Sequence, residues 1–488
     1  MGHSLIAALA LALLIACRLV YNLFLHPLRS YPSPWYTSIS IAWYLYHKAN
    51  GDYHLVVHQL HLQYGTVVRI APDELSFIDP QAFKDIYGHR PPGVPEYAKD
   101  PSHMFSDDPT HPHIVSAPRE MHSKLRRLLS QAFSDKALRE QERILDSYAM
   151  SLVEALRTKC SEPVDLTKWF NFTTFDVIGH LAFAESFNCL SSSQYHPWVS
   201  MIFSTARFIN WTHILGRLVS PDSVRSLLWL IPKRFVREHQ TTRQLTQGKL
   251  MRRKERQPDY VDFMTHMLKG EEQGVIDFAD LESNAPILVF AGSETTATAL
   301  AGAVYYILRN AHVYARLVEE IRSNFQSHDQ VTLSRVNELK YLLAVLDETM
   351  RLYPPAANTL PRVLPPQGGI VCGQHVPGHT KVGIPHYACF RSPHNFANPE
   401  DFVPERSLDE DPTYAADRRD ALQPFQVGPR NCIGKNLAYI EMRLIMAHLL
   451  LEFDLELTPE MVDWEKQEVY VTWLKKPLMV RLRPVERA

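Results

Sequence analysis

The chain has 488 residues, 45% of them hydrophobic, and a formal net charge of -2 at pH 7. Such a chain can bury a large core, and its near-neutral charge excludes bulk electrostatic attraction to nucleic acid, so any basic surface is local. The six cysteines (Cys17, Cys160, Cys189, Cys372, Cys389, Cys432) lack CxxC spacing and suit a reducing compartment. No internal repeat, low-complexity run or long Gly/Ser linker divides the chain.

From Leu5 to Cys17 every residue is apolar, and after Arg18 that character resumes through Leu25, giving about 20 residues, the length that spans a bilayer core. A cleaved signal peptide is the competing reading, and Leu14-Ile-Ala-Cys17 even matches a lipoprotein-type site. No Lys or Arg precedes the run, whereas Arg18 and Arg29 follow it, so the positive-inside rule favours an uncleaved anchor over residues 1–25 with the downstream chain in the cytosol. His26-Pro27-Leu-Arg-Ser-Tyr-Pro32-Ser-Pro34 removes backbone donors and reads as a stiff hinge, residues 26–36, ahead of one large catalytic domain, residues 37–488.

Tyr64-Gly-Thr-Val-Val-Arg-Ile-Ala-Pro72 and Glu74-Leu-Ser-Phe-Ile78 predict two strands around a Pro-Asp turn. Residues 88–119 are rich in Pro, His, Ser and Asp and predict a long loop, in which His111 and His113 read as surface histidines because no further ligands cluster there in the sequence. A helix follows with His122 and Arg126 one turn apart on one face. From Leu138 to Leu268 the pattern is helix after helix, and Arg252 to Arg256 reads as a solvated face. Two sequons, at Asn171 and Asn210, carry meaning only in a secretory lumen.

Asp280 to Arg309 predicts one long apolar helix with Gly292, Glu294, Thr295 and Thr296 in its middle, where a threonine ordinarily bonds back to the carbonyl four residues earlier. Glu348-Thr-Met-Arg351 places a carboxylate and a guanidinium three apart on a helix that ends at Tyr353-Pro354-Pro355. Phe402-Val-Pro-Glu-Arg406 follows. Phe425-Gln-Val-Gly428-Pro-Arg430-Asn-Cys432-Ile-Gly434 then precedes a helix-patterned run from Leu437 to Leu451. Glycine-freed N–H groups and the positive end of that helix favour a thiolate at Cys432, which can ligate a haem iron and push electron density towards it. Tyr470 to Leu474 predicts a hairpin turn.

In the Cys432 loop, in Ala291-Gly-Ser-Glu-Thr-Thr296 and in the Glu348, Arg351 and Arg406 series, the sequence resembles the cytochrome P450 superfamily through most of its length. The resemblance implies a mainly α fold with small β-sheets behind an N-terminal transmembrane helix. It implies haem b with Cys432 as axial ligand, flanked by Phe425 and Gly434, and His122, Arg126, Arg362 and Arg430 at the haem carboxylates. Gly292 would open a groove for O2 and water, Thr295 and Glu294 would relay protons, and Glu348, Arg351 and Arg406 would form a buried scaffold behind the haem. Ile287, Leu288, Phe290, Ala291, Ala357, Leu360 and Trp473 would face substrate, as would the roof-helix positions Phe203, Ala206, Phe208 and Ile209.

The function implied is a monooxygenase placing one oxygen atom of O2 in a lipophilic substrate by hydroxylation or epoxidation. The hinge and Asp165 to Asp176 resemble fungal secondary-metabolite members, the trichothecene and averantin hydroxylase group, which points to a terpenoid, polyketide or mycotoxin pathway. Electrons would come from NADPH through cytochrome P450 reductase, with cytochrome b5 as a second donor, docking on Lys124, Arg127, Lys435 and Arg443. The protein would be a monomer on the endoplasmic reticulum membrane, its domain in the cytosol, binding no nucleic acid. The rival readings are a haem-thiolate oxidase, isomerase or dehydratase that forms or rearranges rings, and a membrane-anchored haem sensor.

Overall fold

The computed structural model describes residues 2–103, 110–219, 233–256 and 258–486, without the side chains at 2, 202–208, 233–236 and 239. It divides into two units, one of Met1–His103, Ala357–Pro399 and Ala416–Asn431, the other of Met104–Ala356, Glu400–Ala415 and Cys432–Ala488. Each unit is assembled from three separate stretches, so the division does not separate consecutive domains along the chain.

The first unit is built on a five-stranded sheet in the order Val67–Ala71, Glu74–Phe77, Lys381–Gly383, Arg362–Val363, Ala98–Lys99. The first two strands pair antiparallel around Pro72-Asp73, with Val67 opposite Phe77 and Val68 opposite Ser76, as the sequence pattern predicts. Glu74–Phe77 runs parallel to Lys381–Gly383, and the remaining pairs are antiparallel. The expected loop from 88 to 119 therefore contributes one short edge strand, Ala98–Lys99, which sequence alone did not indicate. Apolar side chains including Val57, Phe77, Phe83, Ile86, Val382 and Phe390 form the unit's core.

The helix Gly2–Val20 continues as a wider turn through Leu25. His3–Leu25 is long and apolar enough to cross a membrane, and its most apolar stretch of 18 residues has none buried. The proline-rich segment behind it is fastened to this unit and does not swing free. Leu28 is wholly buried, the Arg69 N–H donates to Pro32 O at 2.9 Å, and the Arg69 guanidinium donates to Asn22 O at 3.0 Å.

The second unit is mostly helical. Its centre is the helix Phe278–Arg309, packed against Leu166–Phe183, Lys340–Leu352 and Lys435–Glu452. This helix is also apolar enough to cross a membrane, but it is 72% buried in protein and is a core helix. It begins two residues before the predicted start, where the Asp280 carboxylate accepts the Asp277 N–H at 3.0 Å and holds the first turn. A three-stranded antiparallel sheet places Met479–Pro484 between Val164–Asp165 and Phe453–Leu457. Asn171 and Asn210 are each 3% exposed, so the folded chain withholds both sequons.

Candidate active site

Cys432 stands two residues before Gly434, the N-cap of the helix Lys435–Glu452. The Gly434 N–H is hydrogen-bonded to the Cys432 sulfur, and the charges of Arg126 and Lys435 also favour its thiolate, yet burial outweighs all three and pushes the thiol up. Burial thus opposes the thiolate that the Gly434 N–H and the neighbouring cations favour. Cys432 nevertheless keeps an exposed surface.

Further up the loop, Gly428 has φ of +77° and a Cβ there would meet Tyr87 O at 2.0 Å, so only glycine fits. Gly434 is different. Its Cβ would make ordinary contacts, 3.8 Å from Phe133 and 4.0 Å from the Cys432 sulfur. Phe425 is half-buried. On the helix Arg119–Ser130, His122 is buried and Arg126 half-buried, with burial lowering the Arg126 pKa against the opposing pull of a Cys432 thiolate.

The long helix presents a stripe that its burial does not cover. Ala291 is exposed, and Ile287 and Thr295, one turn to either side, are half-exposed, while Val289, Ser293 and Ala297 are fully buried. The same i, i+4 face carries the Thr295 hydroxyl, which donates to Ala291 O at 2.7 Å and so turns its acceptor lone pairs outward. Phe290 is half-buried beside it. At Gly292 a Cβ would lie 2.5 Å from Ile178 Cδ1, so this glycine admits the neighbouring helix Leu166–Phe183.

Glu294 points away from the stripe. Its carboxylate is 3% exposed and paired with Lys475, itself 4% exposed, at 2.5 Å. Lys475 also donates to Thr298 Oγ1 at 3.0 Å and lies 3.4 Å from Asn171 Oδ1. Burial raises the Glu294 acid and lowers the Lys475 ammonium, each against the pull of its partner. Among the described residues the second carboxylate oxygen has no hydrogen-bond partner. Glu294 and Thr295 are therefore not in direct hydrogen-bond contact. Lys475, 181 residues away in sequence, is the functional neighbour that sequence reasoning missed; its one signal is a lysine just after Trp473-Leu474.

The scaffold trio forms as expected. Arg351 donates to both Glu348 oxygens at 2.8 Å and to Asp401 O at 2.8 Å, and Arg406 Nε donates to Glu348 Oε1 at 3.1 Å. All three residues are 4% exposed or less.

Three expected pocket residues are core residues instead. Leu288 is 7% exposed. Trp473, 4% exposed, stacks on Tyr353 at 4.2 Å and donates its indole N–H to Pro354 O at 2.7 Å. Ala357 is wholly buried, its carbonyl accepting the Tyr387 N–H at 3.1 Å. Leu360 is 43% exposed. The side chains of Phe203, Ala206 and Phe208 lie outside the described residues; Ile209 is half-buried.

His111 is not a bare surface histidine. Its Nδ1 lies 3.1 Å from Asp277 and 3.2 Å from Asp280, at the start of the long helix. Of the basic residues expected to meet a reductase, Lys124, Arg127 and Lys435 are exposed. Arg443 is half-buried, donates to Asn337 and lies 5.4 Å over the Tyr439 ring, which takes it out of that surface.

In the first unit, Arg362 and Arg430 are brought into one group of cations with Lys99. Arg362 is 8% exposed and lies 5.5 Å over the Tyr87 ring. Arg430 is paired with Glu96 at 2.5 Å and 2.7 Å. Within the second unit, an open thiol and a hydroxyl on an exposed stripe of a core helix suit an iron porphyrin; within the first, the guanidinium groups suit carboxylates.

The family model described as cytochrome P450 matches residues 31–482. Among curated relatives, the cytochrome P450 monooxygenase astA of Talaromyces wortmannii is 44% identical over 95% of this chain and 94% of its own length. The cytochrome P450 monooxygenase cpaH of Aspergillus oryzae is 42% identical over 96% of this chain and 91% of its own. The trichothecene C-15 hydroxylase of Fusarium sporotrichioides is 42% identical over 95% of each.

Proposed function

Because the chain belongs to the cytochrome P450 family and is one of its monooxygenases, using haem, O2 and electrons from a redox-partner reductase, we propose that it oxidises a terpenoid or polyketide in fungal secondary metabolism. The reaction is C–H hydroxylation or epoxidation. The observation that carries this reading is the Thr295 hydroxyl on an exposed stripe of an otherwise buried helix. A polar, proton-bearing group on such a stripe has little structural purpose, since its back-bond to Ala291 O stabilises the helix no more than an alanine would.

Cys432 would supply the sulfur ligand, with Phe425 and Gly434 beside it, and His122, Arg126, Arg362 and Arg430 would hold the cofactor's carboxylates. When bound, haem b supplies the activation of O2. Thr295 would accept and pass protons, and Ile287, Phe290 and Ala291 would orient an apolar substrate and keep water away. Glu294 would serve as a proton reservoir tuned by Lys475, its carboxylate swinging from that partner to deliver. The Glu348, Arg351 and Arg406 trio would fix the backbone behind the cofactor. NADPH-cytochrome P450 reductase, with cytochrome b5 as a second donor, would dock on the exposed Lys124, Arg127 and Lys435. Residues 1–25 would anchor a monomer to the endoplasmic reticulum, residues 26–36 would join the anchor to the catalytic domain, and residues 37–488 would lie in the cytosol.

Turnover of a terpenoid and polyketide panel under 18O2 with NADPH and reductase tests this. The reading expects one 18O atom per product, and a Thr295→Ala protein that still consumes NADPH but diverts severalfold more of it to peroxide. Product formed without O2 would point to an isomerase or dehydratase and overturn it.

A further inference from the structure

Four oxidisable side chains touch one another in series inside the second unit, and the reaction described above gives them no task. Trp473 stacks on Tyr353 with ring centres 4.2 Å apart, Tyr353 meets Trp464 at 5.4 Å, and Trp464 meets Tyr305 at 5.2 Å. All four are buried. Packing alone would be served as well by phenylalanine. Indole and phenol differ from phenylalanine in giving up one electron readily, and rings in contact pass the vacancy from one to the next. The hydroxyl partners give the series a direction. Tyr353 donates to the Gln467 amide oxygen at 2.9 Å, too weak a base to keep a proton, whereas Tyr305 donates to the Glu465 carboxylate. A phenol loses its electron far more easily when a base takes its proton, so Tyr305 is the end at which the vacancy settles. The inner end adjoins the Glu294 turn of the long helix: Trp473 stands two residues before Lys475, the partner of Glu294. Burial, and then the charges of Tyr306 and Glu294, raise the Tyr353 phenol. At the outer end the Tyr305 hydroxyl also donates to Val462 O at 2.9 Å, and the exposed Val462 lines a surface cleft of about 320 Å³ with Arg309 and Met461.

We propose that Trp473, Tyr353, Trp464 and Tyr305 form a route that carries stray oxidising equivalents out to this cleft; the inference rests on the haem reading above. A monooxygenase draws a strong oxidant from O2, and when no substrate takes the oxygen atom that oxidant turns on the protein and the porphyrin. One electron leaves Tyr305 and moves inward through Trp464, Tyr353 and Trp473 to the oxidised cofactor, which takes it up. The phenol proton crosses the existing hydrogen bond to Glu465, leaving a neutral tyrosyl radical beside a protonated carboxyl. A soluble thiolate at the cleft then returns one electron, Glu465 returns the proton, and the thiyl radicals so formed pair as a disulfide. Tyr305 and Glu465 end the cycle as they began it.

The test mixes substrate-free, haem-loaded, full-length protein with peroxide, freeze-quenches it for electron paramagnetic resonance, and follows haem bleaching by absorbance. Wild type is expected to show a tyrosyl radical. Tyr305→Phe, Trp464→Phe and Glu465→Gln should each lose most of that signal and bleach severalfold faster. The double variant Tyr305→Phe/Trp464→Phe should bleach no faster than either single one, since both cut the same route. Glutathione should quench the wild-type radical and slow wild-type bleaching, yet leave the bleaching of Trp464→Phe unchanged. The carbon monoxide difference spectrum should be unmoved in every variant, because the sulfur ligand is untouched. A wild type without a tyrosyl radical, or a radical and a bleaching rate that Trp464→Phe leaves unchanged, would overturn the route while leaving the haem reading intact. A wild-type protein lacking the thiolate-haem spectrum would overturn both.

Discussion

Replacing Lys475 by methionine should unbalance the interior of the second unit. The Glu294–Lys475 pair is 3–4% exposed with its charged atoms 2.5 Å apart, and the other Glu294 oxygen has no hydrogen-bond partner among the described residues. Losing one member of such a pair leaves an uncompensated buried charge, which costs about 3–5 kcal/mol. Urea unfolding of the detergent-solubilised holoprotein, followed by circular dichroism, should show that loss for Lys475→Met. The double variant Glu294→Gln/Lys475→Met, which removes both charges, should recover about 2 kcal/mol or more of it. The pH dependence carries a sign. Without Lys475, burial raises the folded-state Glu294 acid above its unfolded value, so the folded variant binds the extra proton and grows less stable as pH rises above the ordinary carboxylate range. A Lys475→Met protein within about 1 kcal/mol of wild type, or single and double variants that add within about 0.5 kcal/mol, would refute the reasoning.

Two further outcomes follow from the first unit. His61 Nδ1 donates to Gly65 O at 2.8 Å and its Nε2 accepts from Ser76 Oγ at 2.7 Å, a buried neutral imidazole whose pKa burial lowers to about 4. The unfolded chain binds one more proton between that value and about 6.5, so stability falls by up to about 3 kcal/mol as pH drops through that window, and His61→Gln should flatten the fall in urea titrations. Gly428→Ala forces a left-handed residue against Tyr87 O and should cost about 2–3 kcal/mol, with a matching drop in haem content per protein.

Much of this was legible because the signals were local. The Pro72-Asp73 turn set two strands, and the apolar run set the long helix to within two residues of its start. The Glu348 and Arg351 spacing placed both groups on one helix face. What the sequence hid depended on long-range partners. Periodicity told that Leu288 and Trp473 were apolar but not that they pack inward, Trp473 against Tyr353. The motif told that Gly292 needs to be small but not that Ile178 fills the space. Glu294 looked like the neighbour of Thr295, yet successive helix positions face about 100° apart, and the carboxylate found Lys475 across 181 residues of chain. Lys99 sat in a stretch without pattern, and only strand pairing with Arg362 revealed its company.

The central claim is that Cys432 gives its sulfur to a haem iron. The carbon monoxide difference spectrum of the reduced protein, wild type beside Cys432→His, tests it most directly. Wild type should show a strongly red-shifted Soret band that Cys432→His lacks while still holding haem. The same band in both proteins, or its absence from intact, haem-loaded wild type, would contradict it.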